Sequence, residues 1–350
     1  MKKTIVLTGG GTAGHIMPNL ALLPEISKYY DKVYYLGSKN SMEEKIIKNY
    51  KNITFISIPT TKLVRALTLK NLAMPFKLIK SICKTKKIIK SINPDVIFCK
   101  GGFVSVPVAI AGKMCKIPVV SHESDYSMGL ANKIILKFAK AMCTSFEDTS
   151  KSSKKCVFTG CPIRQDIFLG NKNNLFLKAN FDSKKPIVLF FGGSLGALKI
   201  NQAVIASIHE LLKRYNVLHI TGKNNKTPIK SKDYFQTEFT DSIQDYFECA
   251  DIVVCRGGAN SLFELLALKK PMLIIPLSKA ESRGDQIENA KYFVKKGYAK
   301  ALFEENLNSQ TLILSLQDIE KNLKSFKNNL NLSSQNSNKK IVEIINKYSK

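Results

Sequence analysis

Four times along this chain, a short apolar run ends in a double glycine and is followed by a segment with helical character. The double glycines lie at residues 9–10, 101–102, 192–193 and 257–258. A strand that leads through a glycine turn into a helix exposes backbone N–H groups at the positive end of that helix, where phosphate binds. Two of these turns fall in each half of the chain. The sequence therefore predicts two nucleotide-fold domains that face each other across a cleft.

The composition is typical of a globular protein without a membrane-spanning segment. The chain has 350 residues, of which 44% are hydrophobic and 23% charged, enough for two domains with separate cores. It has no run of 18 apolar residues and reaches a glycine turn by residue 9, so we expect neither a transmembrane helix nor a cleaved signal peptide. The eight cysteines show no paired metal spacing, which indicates reduced thiols in a cytoplasmic protein.

The positive charge is large and unevenly distributed. Only five of the 54 basic residues behind the net charge of +27 are arginine, and residues 45–94 contain no Asp or Glu. Apolar residues interleave with the lysines at 62–80, a pattern typical of contact with an anionic membrane surface. We favour membrane contact for residues 62–76, whereas for 77–92 a solvated lysine face on a core helix is an equal alternative. Because there is no arginine cluster or recognisable nucleic-acid module, we expect no nucleic-acid partner.

Strand-like and helical segments alternate through both halves, which indicates parallel sheets with right-handed crossovers. The expected fold class is α/β, with two doubly wound domains at 1–163 and 164–350 and a linker around 161–185. Branched apolar residues predict an amphipathic closing helix near 340–350, which could pack back on the first domain. The predicted strands lie at 4–8, 32–36, 53–58, 95–99, 117–121, 141–144, 156–159, 187–191, 217–221, 235–239, 251–254 and 272–275.

The histidines divide into candidates for chemistry and candidates for packing. His15 follows the first glycine turn, near a helix N-terminus that favours the neutral imidazole of a general base; a capping or packing role is the alternative. His122 ends a strand beside Glu123, where α/β sites form, but a structural His–Glu pair fits the spacing equally well. His209 and His219 lie on helical and strand patterns, so we expect both to be packing residues.

Polar residues at the domain junction and in the second half are candidates for binding a nucleotide sugar. Arg164 could reach a diphosphate, or it could be an ordinary surface residue. Glu264 lies one turn beyond Asn260 on the helix after the fourth glycine turn, where a carboxylate can accept two ribose hydroxyls or be an ordinary helix residue. Gln286 and Asn289 share a helix face and could meet the hydroxyls of a sugar.

Two missing patterns narrow the choice of ligand. The first glycine turn does not fit the GxGxxG spacing and no acidic residue closes the second strand, which disfavours a dinucleotide cofactor. No Asp-x-Asp triplet occurs, although sugar-nucleotide enzymes that hold a diphosphate through a metal commonly need one. A site without metal would have to neutralise a leaving diphosphate with helix dipoles and arginine instead.

Six motifs follow one another over residues 1–300: Gly9-Gly10-Gly11-Thr12-Ala13-Gly14-His15, Lys100-Gly101-Gly102-Phe103-Val104-Ser105-Val106-Pro107, His122-Glu123, Gly160-Cys161-Pro162-Ile163-Arg164, Gly192-Gly193-Ser194-Leu195-Gly196-Ala197 and Arg256-Gly257-Gly258-Ala259. As a set and in this order, they resemble the family of peptidoglycan N-acetylglucosaminyltransferases (MurG-type, glycosyltransferase family 28).

The resemblance implies the GT-B fold, in which two Rossmann-like domains face a cleft. It also implies an inverting, metal-independent transfer of GlcNAc from UDP-GlcNAc to the 4-hydroxyl of MurNAc in lipid I, which is undecaprenyl-pyrophosphoryl-MurNAc-pentapeptide. The product would be lipid II, a precursor of peptidoglycan. The lipid acceptor would bind the N-terminal domain at the cytoplasmic face of the cell membrane, where the protein would be peripheral. The donor would bind mainly the C-terminal domain.

The resemblance also assigns roles residue by residue. His15 is the candidate base, and Glu264 is the second residue assigned to the catalytic site. Thr12, Ala13 and Gly14 would approach the donor sugar or the acceptor diphosphate. The remaining binding residues would be Arg164 and Ser194 at the UDP diphosphate, Thr240 at uracil, Ala259, Asn260, Ser261, Leu262, Phe263 and Glu264 at ribose and phosphate, and Gln286 at the GlcNAc hydroxyls.

One position departs from the family pattern. The family commonly reads His-Glu-Gln-Asn where this chain has His122-Glu123-Ser124-Asp125, so a carboxylate replaces the amide expected at the donor sugar. Asp125 is assigned to the binding site with that reservation. Three alternatives remain open: a related transferase acting on another lipid such as diacylglycerol, a UDP-GlcNAc epimerase, and a non-enzymatic basic binding protein.

Overall fold

The computed structural model describes residues 3–60, 74–179, 181, 184–193, 196–331 and 337–350. The chain forms two compact units, of which unit 1 comprises Met1–Arg164 with Asn336–Lys350 and unit 2 comprises Gln165–Gln335. The boundary lies one residue beyond the predicted division at 1–163 and 164–350, because Arg164 ends unit 1; the last 15 residues also belong to unit 1, the placement left open for the closing helix. Among the described residues, no helix is both long and apolar enough to cross a membrane.

Unit 1 contains a seven-stranded sheet in the order β3-β2-β1-β4-β5-β6-β7, with every neighbouring pair parallel. The order reverses between β1 and β4, the switch point at which doubly wound sheets bind ligands. The central strands are buried along their whole length, as their apolar runs predict. The strands are β1 (Thr4–Thr8), β2 (Lys32–Ser38), β3 (Ile53–Ile58), β4 (Val96–Cys99), β5 (Val119–Glu123), β6 (Ala141–Thr144) and β7 (Cys156–Phe158).

Helices cover both faces of this sheet. The helices are α1 (Ala13–Ala21), α2 (Leu23–Ile26), α3 (Met42–Ile47), α4 (Met74–Ile92), α5 (Ser105–Met114), α6 (Leu130–Phe138) and α7 (Glu147–Ser150). The first three pack in one apolar cluster with strand residues such as Ile5 and Phe98. The helices α4, α5 and α6 pack in a second cluster, which includes Val6 and Ile97 from the same two strands. Since neighbouring strand residues point to opposite faces, both faces of the sheet are apolar.

Unit 2 repeats this topology with a six-stranded parallel sheet in the order β10-β9-β8-β11-β12-β13. Its switch point lies between β8 and β11. The helices α9 and α13 pack on one face through Val204, Leu211 and Leu316. The elements are α8 (Asn173–Ala179), β8 (Ile187–Phe191), α9 (Leu198–Arg214), β9 (Asn216–Ile220), β10 (Tyr234–Thr237), α10 (Ile243–Cys249), β11 (Ile252–Cys255), α11 (Ala259–Ala267), β12 (Met272–Ile274), α12 (Asp285–Lys295), β13 (Ala299–Ala301), α13 (Ser309–Lys321) and α14 (Leu323–Asn331), with 3₁₀ turns at Gln165–Leu169 and Glu304–Asn306.

The closing helix α15 (Ser337–Tyr348) completes unit 1. Ile341, Val342 and Ile345 are at most 1% exposed and pack against α2 and the central strands of that unit. Asn338 anchors the start of the helix: its Oδ1 accepts from the Ile163 N–H at 2.9 Å, and its Nδ2 donates to the Ile163 and Ala21 carbonyls at 2.7 and 3.1 Å. The amphipathic helix was therefore predicted correctly, and its apolar face belongs to the first core.

Candidate active site

The first two glycine turns contact each other at the switch point of unit 1. Gly102 has a φ of 78°, and a Cβ added to it would lie 2.5 Å from the carbonyl oxygen of Gly10. Gly11 has a φ of 88°, and its Cβ would lie 3.0 Å from the ring of Phe103. Both positions therefore require glycine. The turns predicted separately from the sequence form one surface at the carboxyl ends of β1 and β4.

The candidate base lies at this surface. Thr12 is the N-cap of α1, and its side chain makes no capping hydrogen bond to that helix end. The Oγ1 of Thr12 lies 3.1 Å from Nδ1 of His15, and the His15 backbone N–H donates to the Thr12 carbonyl at 3.1 Å. Ala13, Gly14 and His15 are each partly exposed. The imidazole is thus held by a neighbouring hydroxyl and is accessible at the N-terminus of a helix, as an oriented base requires.

A buried carboxylate that sequence reasoning missed lies under the first turn. Glu43 of α3 is 1% exposed, and its side chain accepts from the backbone N–H groups of Ser38 at 3.0 Å and Gly11 at 3.4 Å. A Cβ on Gly10 would lie 2.6 Å from the same carboxylate. The N–H of Gly11 therefore already donates to a side chain of the protein. An anion would have to approach the N–H groups farther along, at the start of α1. Nothing in the local sequence distinguishes Glu43 from its neighbour Glu44.

The pair His122–Glu123 supports the fold. His122 is fully buried, its Nε2 donates to the Gly160 carbonyl at 3.0 Å, and burial together with the charge of Lys100 lowers its pKa well below the usual range. Glu123 accepts from Asp125 N–H at 3.0 Å and from Gly129 N–H and Asn132 Nδ2, each at 2.9 Å. The structural alternative for this pair is therefore correct. Asp125 itself is half-buried on the loop at 124–129.

In unit 2, two helix N-termini lie at the switch point. The helix α9 begins after the third glycine turn with Ala197 as N-cap, and α11 begins after the fourth with Gly258 as N-cap; neither N-cap residue makes a side-chain capping bond. Among the described residues, nothing other than chain neighbours lies within 4 Å of a Cβ added to Gly193 or Gly258. Two helix ends that are open to approach suit the binding of a diphosphate. Ser194, assigned to the diphosphate, lies outside the described residues.

The residues of α11 that were predicted to bind the nucleotide lie on two faces of the helix, one partly exposed and one buried. Asn260, Ser261 and Glu264 are partly exposed. Leu262 and Phe263 are 0% and 5% exposed and pack in the core, where the Phe263 ring lies 5.3 Å from that of Phe293. Ala259 is also buried, but it lies in the first turn of the helix, where backbone N–H groups have no partner within the helix. Leu262 and Phe263 therefore offer no side chain to a nucleotide.

Gln286 and Asn289, both on α12, make hydrogen bonds to the fourth glycine turn. The Oε1 of Gln286 accepts from the N–H groups of Gly257 at 3.2 Å and Leu277 at 3.1 Å, so its Nε2 is the atom that can meet a ligand. Asn289 is fully buried and donates to the Gly257 carbonyl at 3.0 Å. The expectation that Asn289 meets a sugar is therefore wrong, because that side chain is enclosed. Gln286 remains partly exposed.

A nearly buried ion-pair network supports the same turn. Glu304, 8% exposed, accepts from Arg256 Nη1 at 2.5 Å, Lys199 Nζ at 3.0 Å and Ser278 N–H at 3.2 Å. Burial alone would raise the pKa of Glu304, but the hydrogen bonds from Arg256 and Lys199 outweigh it and hold that pKa below its usual value. Through one carboxylate, the start of α9 is thus linked to the segments that follow β11, β12 and β13. Sequence reasoning did not identify Glu304.

The remaining candidates are Arg164, Thr240 and the two other histidines. Arg164 is half-buried at the end of unit 1, and the Oγ1 of Thr240 accepts from the Ser242 N–H at 3.0 Å beyond β10. His219 is fully buried between Tyr234 Oη at 2.8 Å and Asn201 Oδ1 at 2.9 Å, as a packing residue should be. His209 is exposed on α9, which contradicts the expectation that it packs in a core.

Both halves of the chain match profiles of one enzyme family. Residues 5–144 match the glycosyltransferase family 28 N-terminal domain, and residues 187–347 match the glycosyltransferase family 28 C-terminal domain. The chain belongs to glycosyltransferase family 28. Its two parallel-sheet domains have the GT-B fold predicted from the sequence.

Two relatives that match this chain over nearly its full length bear the same name. The chain is 44% identical to the UDP-N-acetylglucosamine–N-acetylmuramyl-(pentapeptide) pyrophosphoryl-undecaprenol N-acetylglucosamine transferase of Clostridium tetani, over 99% of each chain. It is 45% identical to the transferase of the same name from Clostridium perfringens, again over 99% of each. Among solved structures, Acinetobacter baumannii MurG superimposes with a TM-score of 0.78 at 23% identity, covering 99% of both chains. A UDP-GlcNAc 2-epimerase from Neisseria meningitidis superimposes with a TM-score of 0.69 at 15% identity, covering 99% and 100%; at that identity, only the fold is shared.

Proposed function

We propose that this family 28 enzyme transfers GlcNAc from UDP-GlcNAc to the MurNAc 4-hydroxyl of lipid I and thereby forms lipid II for peptidoglycan synthesis. The observation that carries the proposal is full-length identity of 44–45% to transferases named for that reaction. The glycine turns that the resemblance rests on lie at the switch points of two nucleotide-fold sheets, where such a reaction needs its phosphate and sugar sites.

The donor would bind unit 2. The N-termini of α9 and α11 would face the diphosphate of UDP, with Ser194 and Arg164 as further donors. Asn260, Ser261 and Glu264 form the partly exposed face of α11, and we assign the ribose hydroxyls to Glu264. Because both hydrogen bonds of the Gln286 Oε1 go to backbone N–H groups, its Nε2 would donate to a GlcNAc oxygen.

His15 would act as the general base for the acceptor hydroxyl. In the productive tautomer, Nδ1–H donates to the Thr12 Oγ1 that lies 3.1 Å away, and Nε2 is the nitrogen that would accept the proton. The hydroxyl oxygen then attacks the anomeric carbon as the bond to UDP breaks. A single displacement of this kind inverts the configuration and forms no covalent enzyme intermediate.

The leaving UDP would be stabilised without a metal. Two helix N-termini each place about half a positive charge at the diphosphate, and Arg164 would add a full one. Within the part of the chain that the structure describes, no three His, Cys, Asp or Glu residues are grouped closely enough to hold a metal ion. Since these charges can neutralise the diphosphate, we propose that neither metal nor cofactor is required.

The acceptor would be reached from an anionic membrane surface through the 62–80 region, with the protein peripheral at the cytoplasmic face. Residues 61–73 lie outside the described part, so the support comes from the start of α4. Residues 75–80 are all exposed there, with Phe76 at 76% and Ile79 at 58%, next to Lys77 and Lys80. Apolar side chains flanked by lysines bind anionic lipid through burial and charge together.

The membrane proposal is tested by sedimentation with phosphatidylglycerol-containing liposomes. The double variant Phe76→Ser/Ile79→Ser should bind several-fold more weakly and keep the wild-type melting temperature. Leu314→Ser on α13 is the matched control, because Leu314 is 55% exposed in unit 2 and its loss should leave sedimentation unchanged. Equal sedimentation of wild type and the double variant would contradict the assignment of this surface.

The reaction is tested by supplying UDP-GlcNAc with a short-chain lipid I analogue, with diacylglycerol, or with no acceptor. We expect UDP release and a new disaccharide only with the lipid I analogue. A glycosylated diacylglycerol would instead indicate another lipid acceptor, and UDP-ManNAc formed without acceptor would indicate an epimerase. Glu264→Gln should abolish most of the transfer; full activity in that variant would remove Glu264 from the site.

A further inference from the structure

A lysine side chain is buried beneath the two glycine turns of unit 1. Lys100 directly follows β4, and its side chain is 1% exposed. Its backbone N–H donates to the Thr8 carbonyl at 2.8 Å, and its Nζ donates to the Ser124 Oγ at 2.6 Å. A Cβ added to Gly9 would lie 3.1 Å from the Lys100 Cβ. The ammonium group therefore lies under the switch point and is directed towards loop 124–129.

Burying an ammonium group costs several kcal/mol unless opposite charge compensates it. Burial lowers the pKa of Lys100, and the Cys161 thiol and the carboxylates of Glu123 and Asp125 oppose that shift. Cys161 is itself buried, which disfavours the thiolate. The carboxylates of the loop are therefore the compensating charges.

The two carboxylates, Glu123 and Asp125, have different positions relative to loop 124–129. Both oxygens of Glu123 accept hydrogen bonds from the loop and from α6, at Asp125 N–H, Gly129 N–H and Asn132 Nδ2. Glu123 therefore fixes the backbone of loop 124–129. Asp125 is half-buried on this loop, next to Ser124, to which Lys100 donates. It brings a second negative charge to a site with one buried positive charge.

We propose that Lys100 and Asp125 form a charge-compensated pair in which Lys100 is a positioning residue that holds loop 124–129 in place for the donor sugar. The proposal rests on the proposed transferase function. It also accounts for the one departure from the family pattern, because a carboxylate at 125 suits a chain with a lysine buried beneath it. An asparagine there, the usual residue of the family, would leave that ammonium with one fewer compensating charge.

The test is a double-mutant cycle of Asp125→Asn and Lys100→Met, read on thermal unfolding and on the KM for UDP-GlcNAc and the kcat, with a soluble lipid I analogue as acceptor. Each single variant should raise the KM for UDP-GlcNAc about 10- to 100-fold and lower the melting temperature by about 5 °C, with kcat within about threefold. The double variant should recover most of both losses. Lys51→Met, an exposed lysine in the same unit, is the control and should match wild type.

Several results would contradict the proposed pairing of Lys100 with Asp125. Losses that simply add in the double variant would show that the two charges do not compensate each other. Coupling in unfolding with an unchanged KM in every variant would leave Lys100 a purely structural residue. If Lys100→Met does not fold, Lys100→Gln keeps a donor for Ser124 without the charge, and the cycle is repeated with it. A wild-type chain without transfer activity would refute the proposed function, whereas the unfolding cycle would still test the pair.

Discussion

The anchoring of α15 by Asn338 gives a prediction whose size follows directly from the structure. The side chain is 7% exposed and makes three hydrogen bonds, two with Ile163 and one with Ala21. Asn338→Ala removes all three and leaves a backbone N–H and two carbonyls of buried segments without these partners. At roughly 1 kcal/mol net for each bond, the expected loss in the free energy of unfolding is about 3 kcal/mol.

The same substitution should weaken donor binding, because Ile163 immediately precedes Arg164. The assay is urea denaturation followed by circular dichroism, together with hydrogen exchange of α15, the KM for UDP-GlcNAc and the kcat. Lys340→Ala, an exposed position on the same helix, should change stability by less than about 0.5 kcal/mol. A loss below about 0.5 kcal/mol in Asn338→Ala would refute the claim that these hydrogen bonds fasten the end of the chain to unit 1.

Three further predictions follow from single residues. His15→Ala should lower kcat by about 10²–10⁴-fold, as loss of a general base does, with UDP affinity nearly unchanged; near-wild-type turnover would exclude His15 as the base. Glu304→Gln should cost about 3 kcal/mol of stability, since it leaves Arg256 and Lys199 without their shared carboxylate; urea denaturation would measure this, and wild-type stability would contradict it. Burial lowers the pKa of His219 to about 4, so as the pH falls from about 6.5 towards 4 the unfolded chain takes up a proton that the folded chain does not. The free energy of unfolding should therefore be about 2 kcal/mol lower at pH 5 because of this group. Circular dichroism melts of His219→Asn should lack this part of the pH dependence.

The fold could be predicted because its signals are local. Apolar β-rich runs, glycine turns and alternating helices each occupy a few consecutive residues, and parallel α/β topology follows from their alternation. The strand β13 was missed because Ala299–Ala301 is a three-residue strand with no β-branched residue. The place of α15 was left open, because the contacts that decide it join Asn338 to Ile163, 175 residues away.

The candidate site was predictable in its backbone and less so in its side chains. The glycine turns mark where helix N-termini open towards a ligand, and all four lie at the switch points of the two sheets. The division of α11 follows from helical periodicity alone: residues 260, 261 and 264 share a face that 262 and 263 do not. Glu43, Lys100 and Glu304 could not be found, because a buried charge is identified by partners that are distant in sequence.

The central claim is a metal-independent, inverting transfer of GlcNAc to lipid I, and the most direct test is one reaction analysed for its product. UDP-GlcNAc labelled at the anomeric carbon is incubated with a short-chain lipid I analogue in excess EDTA, and UDP and the disaccharide are quantified by NMR. The account predicts equal amounts of UDP and of a β-1,4-linked disaccharide, at the same rate with and without EDTA. An α-linked product, or a rate that EDTA abolishes and added Mg²⁺ restores, would contradict it.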